Sequence, residues 1–269
     1  MWGNMSISGT SKHTFVICAY RESEHLEACI RSLLKQTVPP TVKMVTSTPN
    51  EHIIGLAKKY DIDLFAREGK SDICADWNFA YDAAETEWMT VAHQDDIYDE
   101  RYLEVFLDTI KKYPEAIAYT CDYIPIKNGQ IGPRDINSKI RRLLRSPIKN
   151  PRRASSRFWK RNILRFGNSV CCPCVAYHKS VLGPSFFTSD LKFDIDWDTF
   201  YKIAGMDGMF AYRDEPLTYY RVYDGATTKE WIVNHTRERE DIYMFRKFWP
   251  GWFADFLVIF YKKAYKTYE

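Results

Sequence analysis

The amino-acid sequence predicts an α/β fold in which a mainly parallel, twisted sheet is flanked by helices and followed by a helical C-terminal segment. Short β-branched or aromatic runs alternate with stretches of helical period along the first 120 residues. This alternation is typical of strands joined by crossover helices. The composition agrees, since 45% of the 269 residues are hydrophobic and only 12 Gly and 12 Pro occur. A disordered, collagen-like or low-complexity chain is therefore excluded.

Four strands and four helices are predicted in this first part. The apolar runs place the strands at 14–19, 42–46, 62–66 and 88–92. Apolar side chains at helical spacing predict a helix after the first strand, with one inward face formed by Leu26, Cys29, Ile30, Leu33 and Leu34. Ser23 and Asn50 are expected to cap the first and second helices. The third helix covers about 72–85, and the fourth has an inward face from Leu103 to Ile110.

The fourth predicted strand runs directly into His93-Gln94-Asp95-Asp96. Ligands of open parallel sheets bind beyond the carboxyl ends of the strands, so this is the edge at which a ligand is expected. Two adjacent carboxylates repel each other unless hydrogen-bond donors or a cation share them, and a divalent metal ion does this. The alternative is that the two acids only cap the next helix.

Charge is distributed unevenly along the chain. The net charge is +3, but residues 139–165 contain eleven cations and no acid, which leaves 3 − 11 = −8 for the rest. Such a block creates a local positive field for phosphates, anionic lipid or nucleic acid, unless it is only a solvated loop. No nucleic-acid partner is expected, because the cations lack the interleaved aromatic residues of single-strand binders.

The cysteines and the apolar runs favour a cytoplasmic protein. Seven Cys are too few, and too oddly numbered, for a disulfide scaffold, and the cluster Cys171, Cys172 and Cys174 lacks the second ligand pair that a structural zinc site needs. No stretch approaches the roughly 18 apolar residues of a membrane span, and the first residues contain no apolar signal region. We therefore expect reduced thiols and a cytoplasmic location.

The C-terminal residues 248–261 are strongly aromatic and apolar, and Lys262, Lys263 and Lys266 follow them. Such a pattern is typical of a helix that lies in a membrane interface, although the run is too short to span a bilayer. A helix packed on the rest of the protein or on a partner subunit explains it equally well. Two interpretations of this segment are therefore open. It lies peripherally on the inner face of the cell membrane, or it packs within the protein or against another subunit of an oligomer.

Several segments resemble the motifs of family-two glycosyltransferases. The opening of that family is similar to Val16-Ile17-Cys18-Ala19-Tyr20-Arg21-Glu22 and to Ser32-Leu33-Leu34-Lys35-Gln36-Thr37. Later family motifs resemble, in the family's order, Glu68-Gly69 with Asn78, Ala84-Glu85-Thr86-Glu87-Trp88, Gln94-Asp95-Asp96-Ile97-Tyr98, Asp194-Ile195-Asp196-Trp197-Asp198 and Tyr219-Tyr220-Arg221-Val222-Tyr223. The resemblance covers residues 13 to about 228.

This resemblance implies a GT-A fold and inverting sugar transfer from a nucleoside diphosphate sugar, with Mn²⁺ or Mg²⁺ as cofactor. The donor is expected to be a UDP-sugar, which the family uses most, and the acceptor a glycan or lipid-linked molecule of bacterial cell-surface type. The expected organisation is a flexible N-terminus at 1–12, a nucleotide-sugar-binding half at 13–120, an acceptor-binding and catalytic half at 121–228, and a helical segment at 229–269.

The resemblance also assigns roles to residues. The donor-binding set is Ala19, Tyr20, Arg21, Glu22, Asn78, Gln94, Asp95 and Asp96. Within it, Asp95 is expected on the ribose side and Asp96 on the metal, although the sequence does not separate the two acids as metal ligands. Asp196 stands at the place of the general base.

Asp194 and Asp198 compete with Asp196 for the role of base. In a helix that begins near Asp196, a two-residue step turns the side chain to the far face, so at most one or two of the three acids share the site. The alternative is that all three are first-turn acids favoured by the helix dipole.

The sequence also departs from the family pattern. Ser47 lies near the end of the second strand, where many relatives have an aspartate, and His93 replaces the first acid of the signature. Tyr223 replaces a metal-binding histidine, with Asp224 as its substitute. The secondary candidates are therefore Ser47, Asp198, Arg221, Tyr223 and Asp224. These departures keep a second function open, a non-catalytic GT-A module that binds a nucleotide sugar or a partner transferase.

Overall fold

The computed structural model describes residues 12–127, 129–222 and 236–262. Residues 1–11 of the expected flexible N-terminus lie outside this range, as do the candidates Tyr223 and Asp224. Part of the expected C-terminal segment also lies outside it.

Strands and helices alternate in the first half as the sequence predicts. The strands are β1 (His13–Ala19), β2 (Thr41–Thr46), β3 (Asp63–Ala66) and β4 (Trp88–His93), and the helices between them are α1 (Leu26–Leu34), α2 (Glu51–Lys59) and α3 (Ile73–Ala83). A short strand β5 (Ile97–Tyr98) and the helix α4 (Tyr102–Lys112) follow. The strand β1 pairs in parallel with β2 and β4, and β2 pairs in parallel with β3. Their carboxyl ends therefore meet at one edge.

The capping predictions have mixed outcomes. Asn50 caps α2 as expected, because its side chain accepts a hydrogen bond from the Ile53 amide at 2.9 Å. The prediction for Ser23 is wrong, since α1 begins only at Leu26 and the Ser23 hydroxyl instead donates to Asp95 at 3.1 Å. The two acids after β4 do not cap α4, which begins at Tyr102 beyond β5.

In the described residues between 113 and 222, the second half contains five further helices before the C-terminal pair, and most of them are short. Its strands are β6 (Ala116–Lys127), β7 (Gln130–Ile131), β8 (Val175–His178) and β9 (Met209–Val222). Its helices are α5 (Ile136–Arg145), α6 (Pro151–Ala154), α7 (Arg157–Asn162), α8 (Lys179–Leu182), α9 (Ile195–Gly205), α10 (Thr236–Arg246) and α11 (Gly251–Tyr261). Two 3₁₀ turns, Ser146–Lys149 and Cys172–Cys174, lie between these helices and strands. Residues 121–190 carry little periodicity as a whole, because most of the elements in this range are short and α5, with ten residues, is the longest helix among them.

One nine-stranded sheet joins both halves of the chain. Its order is β3-β2-β1-β4-β8-β6-β9-β5, and β7 pairs with β6. The strand β9 is parallel to β6, whereas β8 is antiparallel to both β4 and β6, and β5 is antiparallel to β9. The expectation of a mainly parallel sheet therefore holds for β1 to β4, and the rest of the sheet is mixed. The strand β6 crosses residue 120, the expected boundary between the two halves.

The described part of the C-terminal segment, residues 236–262, consists mainly of the helices α10 and α11, as expected, and it packs against α9. The ring of Trp197 on α9 lies 5.1 Å from that of Phe245 on α10, which in turn lies 5.3 Å from that of Tyr261 on α11. Gly167 permits a close approach of α11, since its φ is +127° and a Cβ atom there would lie 2.6 Å from the Tyr261 ring. The loop at Gly167 therefore needs glycine.

Many cations of the basic block have partners within the protein. Arg157 pairs with Asp207, Arg142 and Lys149 pair with Asp214, and the buried Lys160 donates to the carbonyls of Met206 and Gly208. Aromatic rings lie under the guanidinium groups of Arg153, Arg161 and Arg165. More than half of the block still reaches solvent, since its exposed cations are Lys139, Lys149, Arg152, Arg153, Arg157 and Arg161.

The cysteines of the described chain are all free thiols, in agreement with the sequence. Among the helices in the described ranges, none is long and apolar enough to cross a membrane.

Candidate active site

The loops after β1 and β4 are joined side by side at the carboxyl edge of the sheet. The backbone amide of Tyr20 donates to Gln94 Oε1 at 2.9 Å, and Gln94 Nε2 donates back to the Tyr20 carbonyl at 3.1 Å. Tyr20, Arg21 and Glu22 are exposed, while Ala19 is buried at the strand end. Arg21 has φ +53°, a left-handed conformation held by a 2.7 Å hydrogen bond from its amide to Thr48 Oγ1. The predicted donor-binding residues of both loops thus share one edge.

Asp95 and Asp96 have different environments. Asp95 is half-buried, and Asp96 is buried. Asp96 Oδ1 accepts a hydrogen bond from the Arg221 amide at 2.8 Å, and Arg221 Nε donates to the Asp95 carbonyl at 2.9 Å. Asp96 Oδ2 is buried without a hydrogen-bond partner. Burial raises the pKa of the Asp96 carboxyl well above its usual range.

His93 occupies the position where the resemblance leads us to expect an acid. Its Nδ1 lies 3.9 Å from Asp96 Oδ2, and its ring stacks on Trp77 at 5.8 Å between centroids. Burial lowers the pKa of His93 to about 4, so the ring is neutral near pH 7. His93 therefore adds no positive charge beside the two carboxylates.

Asp76 organises the ends of β2 and β3, and sequence reasoning missed it. Its Oδ1 accepts two hydrogen bonds from Arg67, from Nε at 2.9 Å and from Nη2 at 2.7 Å. Its Oδ2 accepts from Ser47 at 3.0 Å and from Ser71 at 3.2 Å. The carboxylate that the end of β2 lacks is thus supplied by α3.

Both polar atoms of the Asn78 side chain form hydrogen bonds with the backbone of Phe187. Its Nδ2 donates to the Phe187 carbonyl at 2.6 Å, and its Oδ1 accepts from the Phe187 amide at 3.0 Å. These bonds fix α3 to the loop that leads into α9. They give Asn78 a structural role, and its role in donor binding stays a prediction.

Asp196 lies in the first turn of α9 and is half-buried. Its Oδ2 accepts a hydrogen bond from Asn168 Nδ2 at 2.8 Å, and its Oδ1 accepts from the Trp197 amide at 2.7 Å. Burial raises the pKa of Asp196 to about 6, although these hydrogen bonds and the charge of Arg141 oppose the shift. The carboxylate is thus oriented and is ready to accept a proton near neutral pH.

The other two acids at the start of α9, Asp194 and Asp198, are buried and interact with other charged side chains. Asp194 is buried, and its pKa is raised by burial and by the nearby Asp241 of α10. Asp198 forms salt bridges with Lys247 and, at 3.0 Å, with Lys202. These cations lower the pKa of Asp198 despite its burial. Of the three acids, Asp196 is the one that is not buried.

Glu240 on α10 holds the entry to α9, and no sequence signal identified it. Its carboxylate accepts hydrogen bonds from three successive backbone amides, those of Lys192 at 2.8 Å, Phe193 at 2.7 Å and Asp194 at 3.0 Å. Charged acceptors make stronger hydrogen bonds than neutral ones. The C-terminal helices therefore fix the start of the helix that carries Asp196.

The segment 168–174 connects Asp196 with the acids after β4. Asn168 contacts Asp196 directly, and Cys171 and Cys172 follow it. Burial is the main cause that raises the pKa of both thiols, and the charge of Asp96 adds to it for Cys171 and that of Asp196 for Cys172. Tyr98 Oη donates to the Pro173 carbonyl at 2.8 Å, so the segment that contacts Asp196 also contacts β5, which directly follows Asp96.

The two acids after β4 fit a hard cation only in part. Asp95 and the unpartnered Oδ2 of Asp96 offer oxygen atoms, which Mn²⁺ and Mg²⁺ prefer. Within the described ranges, no three His, Cys, Asp or Glu side chains are grouped to hold a metal ion. The chain therefore offers a partial site that needs further oxygen ligands from a bound molecule.

Comparison with known sequences identifies the family. The sequence profile of glycosyl transferase family 2 matches residues 14–181, which is more than half of the chain. The chain belongs to glycosyl transferase family 2. The match includes Asp95 and Asp96 but ends before α9, so the assignment of Asp196 in this family-two chain depends on its geometry. Among curated protein sequences, none matches.

Solved structures share the fold of this family-two chain. S. aureus TarS 1-349 in complex with UDP-GlcNAc has a TM-score of 0.57 and 17% identity, over 80% of this chain and 60% of that one. Mannosyltransferase PcManGT from Pyrobaculum calidifontis in complex with GDP-Man and Mn²⁺ has a TM-score of 0.63 and 16% identity, over 88% and 63%. The chain thus spans less than two thirds of both proteins.

A third similar structure is glucosyl-3-phosphoglycerate synthase from Mycobacterium tuberculosis in complex with Mn²⁺ and UDP-Glc. Its TM-score is 0.52 at 11% identity, over 84% of this chain and 75% of that one. At these identities the likeness establishes the fold, which is the expected GT-A fold.

Proposed function

We propose that this chain is an inverting glycosyltransferase that moves a sugar from a nucleoside diphosphate sugar to a hydroxyl group of its acceptor. The observation that carries this proposal is the environment of Asp196, whose half-buried carboxylate is oriented by Asn168 and has a pKa of about 6. A general base works best when its pKa lies near the operating pH. The family and the GT-A fold support the same reaction class.

In this mechanism Asp196 accepts the proton of the acceptor hydroxyl as that oxygen attacks the anomeric carbon. A single in-line displacement inverts this carbon, so base and leaving diphosphate lie on opposite sides of the sugar. The backbone amide of Trp197 and the side chain of Asn168 hold both carboxylate oxygens in place. Pre-orientation of this kind lowers the entropic cost of the attack.

Asp95 and Asp96 are proposed to hold a divalent cation together with the donor diphosphate. A bound Mn²⁺ or Mg²⁺ would supply charge stabilisation for the departing diphosphate. Asp95 is the acid that solvent reaches, whereas one oxygen of Asp96 is already taken by the Arg221 amide. The carboxylate of Asp95 and the remaining Oδ2 of Asp96 are therefore the oxygen atoms that would hold the cation. Mn²⁺ in PcManGT and in the mycobacterial synthase supports this choice.

Metal removal tests this assignment. Chelation with EDTA is expected to reduce donor turnover to background and Mn²⁺ to restore it, because the diphosphate then lacks its compensating charge. Asp95→Asn is expected to weaken Mn²⁺-dependent nucleotide binding, measured by titration calorimetry, and Asp82→Asn on the outer part of α3 serves as the control. Full turnover in EDTA would contradict a role for the metal.

The donor is expected to be a UDP-sugar. A screen of nucleotide release over UDP-, GDP- and dTDP-sugars measures this preference directly, and the UDP compounds are expected to give the highest rates. The bound UDP-GlcNAc of TarS and UDP-Glc of the mycobacterial synthase support the choice, whereas PcManGT is a structure with GDP-Man. If a guanosine or thymidine donor gave the highest rate, the assignment of uracil as the donor's nucleobase would be wrong, but the reaction class would stand.

The same assay distinguishes the proposal from its alternative. A non-catalytic GT-A module would bind the nucleotide sugar tightly and release no free nucleotide diphosphate. Turnover that Asp95→Asn abolishes supports the enzyme. Tight nucleotide binding without turnover for every donor would support the module.

The acceptor is proposed to be a glycan or a lipid-linked molecule at the inner face of the cell membrane. The Arg and Lys residues that remain on the surface of the basic block and the aromatic helix α11 support this choice. A membrane-bound acceptor would require the site to face the bilayer.

A further inference from the structure

The helix α5 turns its apolar residues to solvent. Ile136 is 73% exposed, Leu143 is 71% exposed and Ile140 is 49% exposed. With Lys139 they form one face, because these positions are three or four residues apart. An amphipathic helix on the surface of a globular protein normally has the opposite orientation, with its apolar stripe against the core.

The inverted orientation of α5 has a cause inside the protein. The buried Asp122 on β6 forms salt bridges with Arg134, Arg142 and Arg145, and Arg145 has no exposed surface. Buried charges need partners, so the cationic side of α5 must face the sheet. The aliphatic side is then left outside, where only another apolar surface would stabilise it.

The helix α11 presents a second apolar face. Trp252 is 74% exposed, Ile259 is 62% exposed and Phe256 is 49% exposed, whereas Ala254 and Val258 pack inward. The one acid in this helix, Asp255, pairs with Arg246 at 3.1 Å. The outward face therefore carries large apolar groups and no uncompensated negative charge.

Both helices lie next to the candidate base. Gly167 touches the Tyr261 ring of α11, and the following residue, Asn168, donates to Asp196. Arg145 of α5 donates a hydrogen bond to the carbonyl of Ser169, the next residue of the same segment. Both helices therefore contact the segment 167–169 that holds Asp196, and their apolar faces lie near the site.

We propose that the outward faces of α5 and α11 form one docking surface for an anionic lipid bilayer. The inference builds on the proposed function, since it makes the acceptor a lipid-linked molecule presented at that bilayer. Amphipathic helices with aromatic and aliphatic residues beside lysines bind the membrane interface without crossing it. On this surface the bilayer stabilises the apolar faces and holds the site at the level of the acceptor.

Charge selects a lipid surface over a second copy of this chain. Lys139 lies on the exposed face of α5, and after Lys262, which pairs with Glu238, the sequence continues with Lys263 and Lys266. The stretch 136–165 contains no acid. Two copies that met through these faces would bring like charges together, whereas an anionic leaflet attracts them.

Vesicle sedimentation tests the proposal with the full chain. We expect the protein to bind phosphatidylcholine vesicles that contain phosphatidylglycerol, to bind less as salt rises, and to bind phosphatidylcholine alone weakly. Two double variants, Ile140→Ser with Leu143→Ser and Trp252→Ser with Ile259→Ser, should each lower the partition coefficient by about tenfold or more. Each removes apolar side-chain area that the bilayer would otherwise bury on binding. Val181→Ser on α8, whose side chain is also exposed, is the matched control and should bind like the parent.

Three results would overturn this docking surface. The intact protein could ignore the anionic vesicles at low salt, or both double variants could bind like the parent. In lipid-free buffer, analytical ultracentrifugation could reveal a dimer that either double variant dissociates, which would make the faces a self-contact. Circular dichroism checks that the variants are folded. Release of nucleotide from a soluble donor without vesicles tests the proposed enzyme separately, so failure of one does not imply failure of the other.

Discussion

Replacement of Asp196 by Asn is expected to lower sugar transfer by at least about a hundredfold and to leave nucleotide affinity unchanged. General-base catalysis contributes roughly 10²- to 10⁴-fold, and an acceptor hydroxyl does not ionise unaided near neutral pH. Asn keeps the shape of the side chain but accepts no proton. Because burial disfavours the charged form of Asp196, loss of the charge should not destabilise the fold. Initial rates and nucleotide titrations on the same preparation measure both effects.

The pH dependence of the parent enzyme should report the same group. The pKa of Asp196 is raised from the ordinary 3.8 to about 6, so the carboxyl is more than half protonated below pH 6 and then cannot act as a base. The rate is therefore expected to fall as pH decreases through about 6 and to level off above about pH 7. Asn168→Ala should move this midpoint upward, because it removes a hydrogen bond that favours the charged form.

Asp198→Asn is the matched control, since it changes an acid two residues away in the same helix. This carboxylate pairs with Lys247 and Lys202, so its loss should affect stability more than the chemical step. A transfer rate within a few-fold of the parent is expected. Equal losses for the two variants would mean that the general base has been assigned to the wrong residue.

The sequence predicts the first half of the fold well because its elements are long enough to repeat their pattern. The helical spacing from Leu26 to Leu33 is realised in α1, where these predicted residues are buried. The prediction for Leu34 is wrong, since this last residue of the helix is 40% exposed. Between 121 and 190 the helices have as few as four residues, which is about one turn, and no period can be read from one turn. The strand β8 in that region also pairs antiparallel, and such pairing is a tertiary property.

The sequence places candidate site residues where a strand end or a motif fixes their position. The loops at Tyr20 and Gln94 meet because β1 and β4 are adjacent parallel strands. The alternation of elements implies the parallel direction of these strands, whereas their adjacency is known only from the structure. Asp76 and Glu240 act through contacts between elements distant in the chain, and no local pattern identifies such contacts. The inverted orientation of α5 depends on Asp122, which lies on the strand β6 and not in the helix itself.

Asp122→Asn is expected to cost about 3–5 kcal/mol in the free energy of unfolding. It leaves the guanidinium of Arg145 buried without its counter-charge, and breaking a buried ion pair by removing one partner has a cost of this order. Arg134 and Arg142 are less affected, since both are partly exposed and can be solvated. Urea unfolding followed by circular dichroism measures the loss.

Asp214→Asn provides the comparison, because it removes an acid from the same cationic cluster at a more exposed place. The side chain of Asp214 is 26% exposed, and its partners Arg142 and Lys149 are 43% and 44% exposed. Exposed ion pairs contribute about 0–1 kcal/mol, so this variant should lose far less stability than Asp122→Asn. Similar losses for both would mean that the net charge of the cluster matters rather than the burial of Arg145. A large difference would support the view that Asp122 sets the orientation of α5, since the cost then depends on the cation that this helix turns inward.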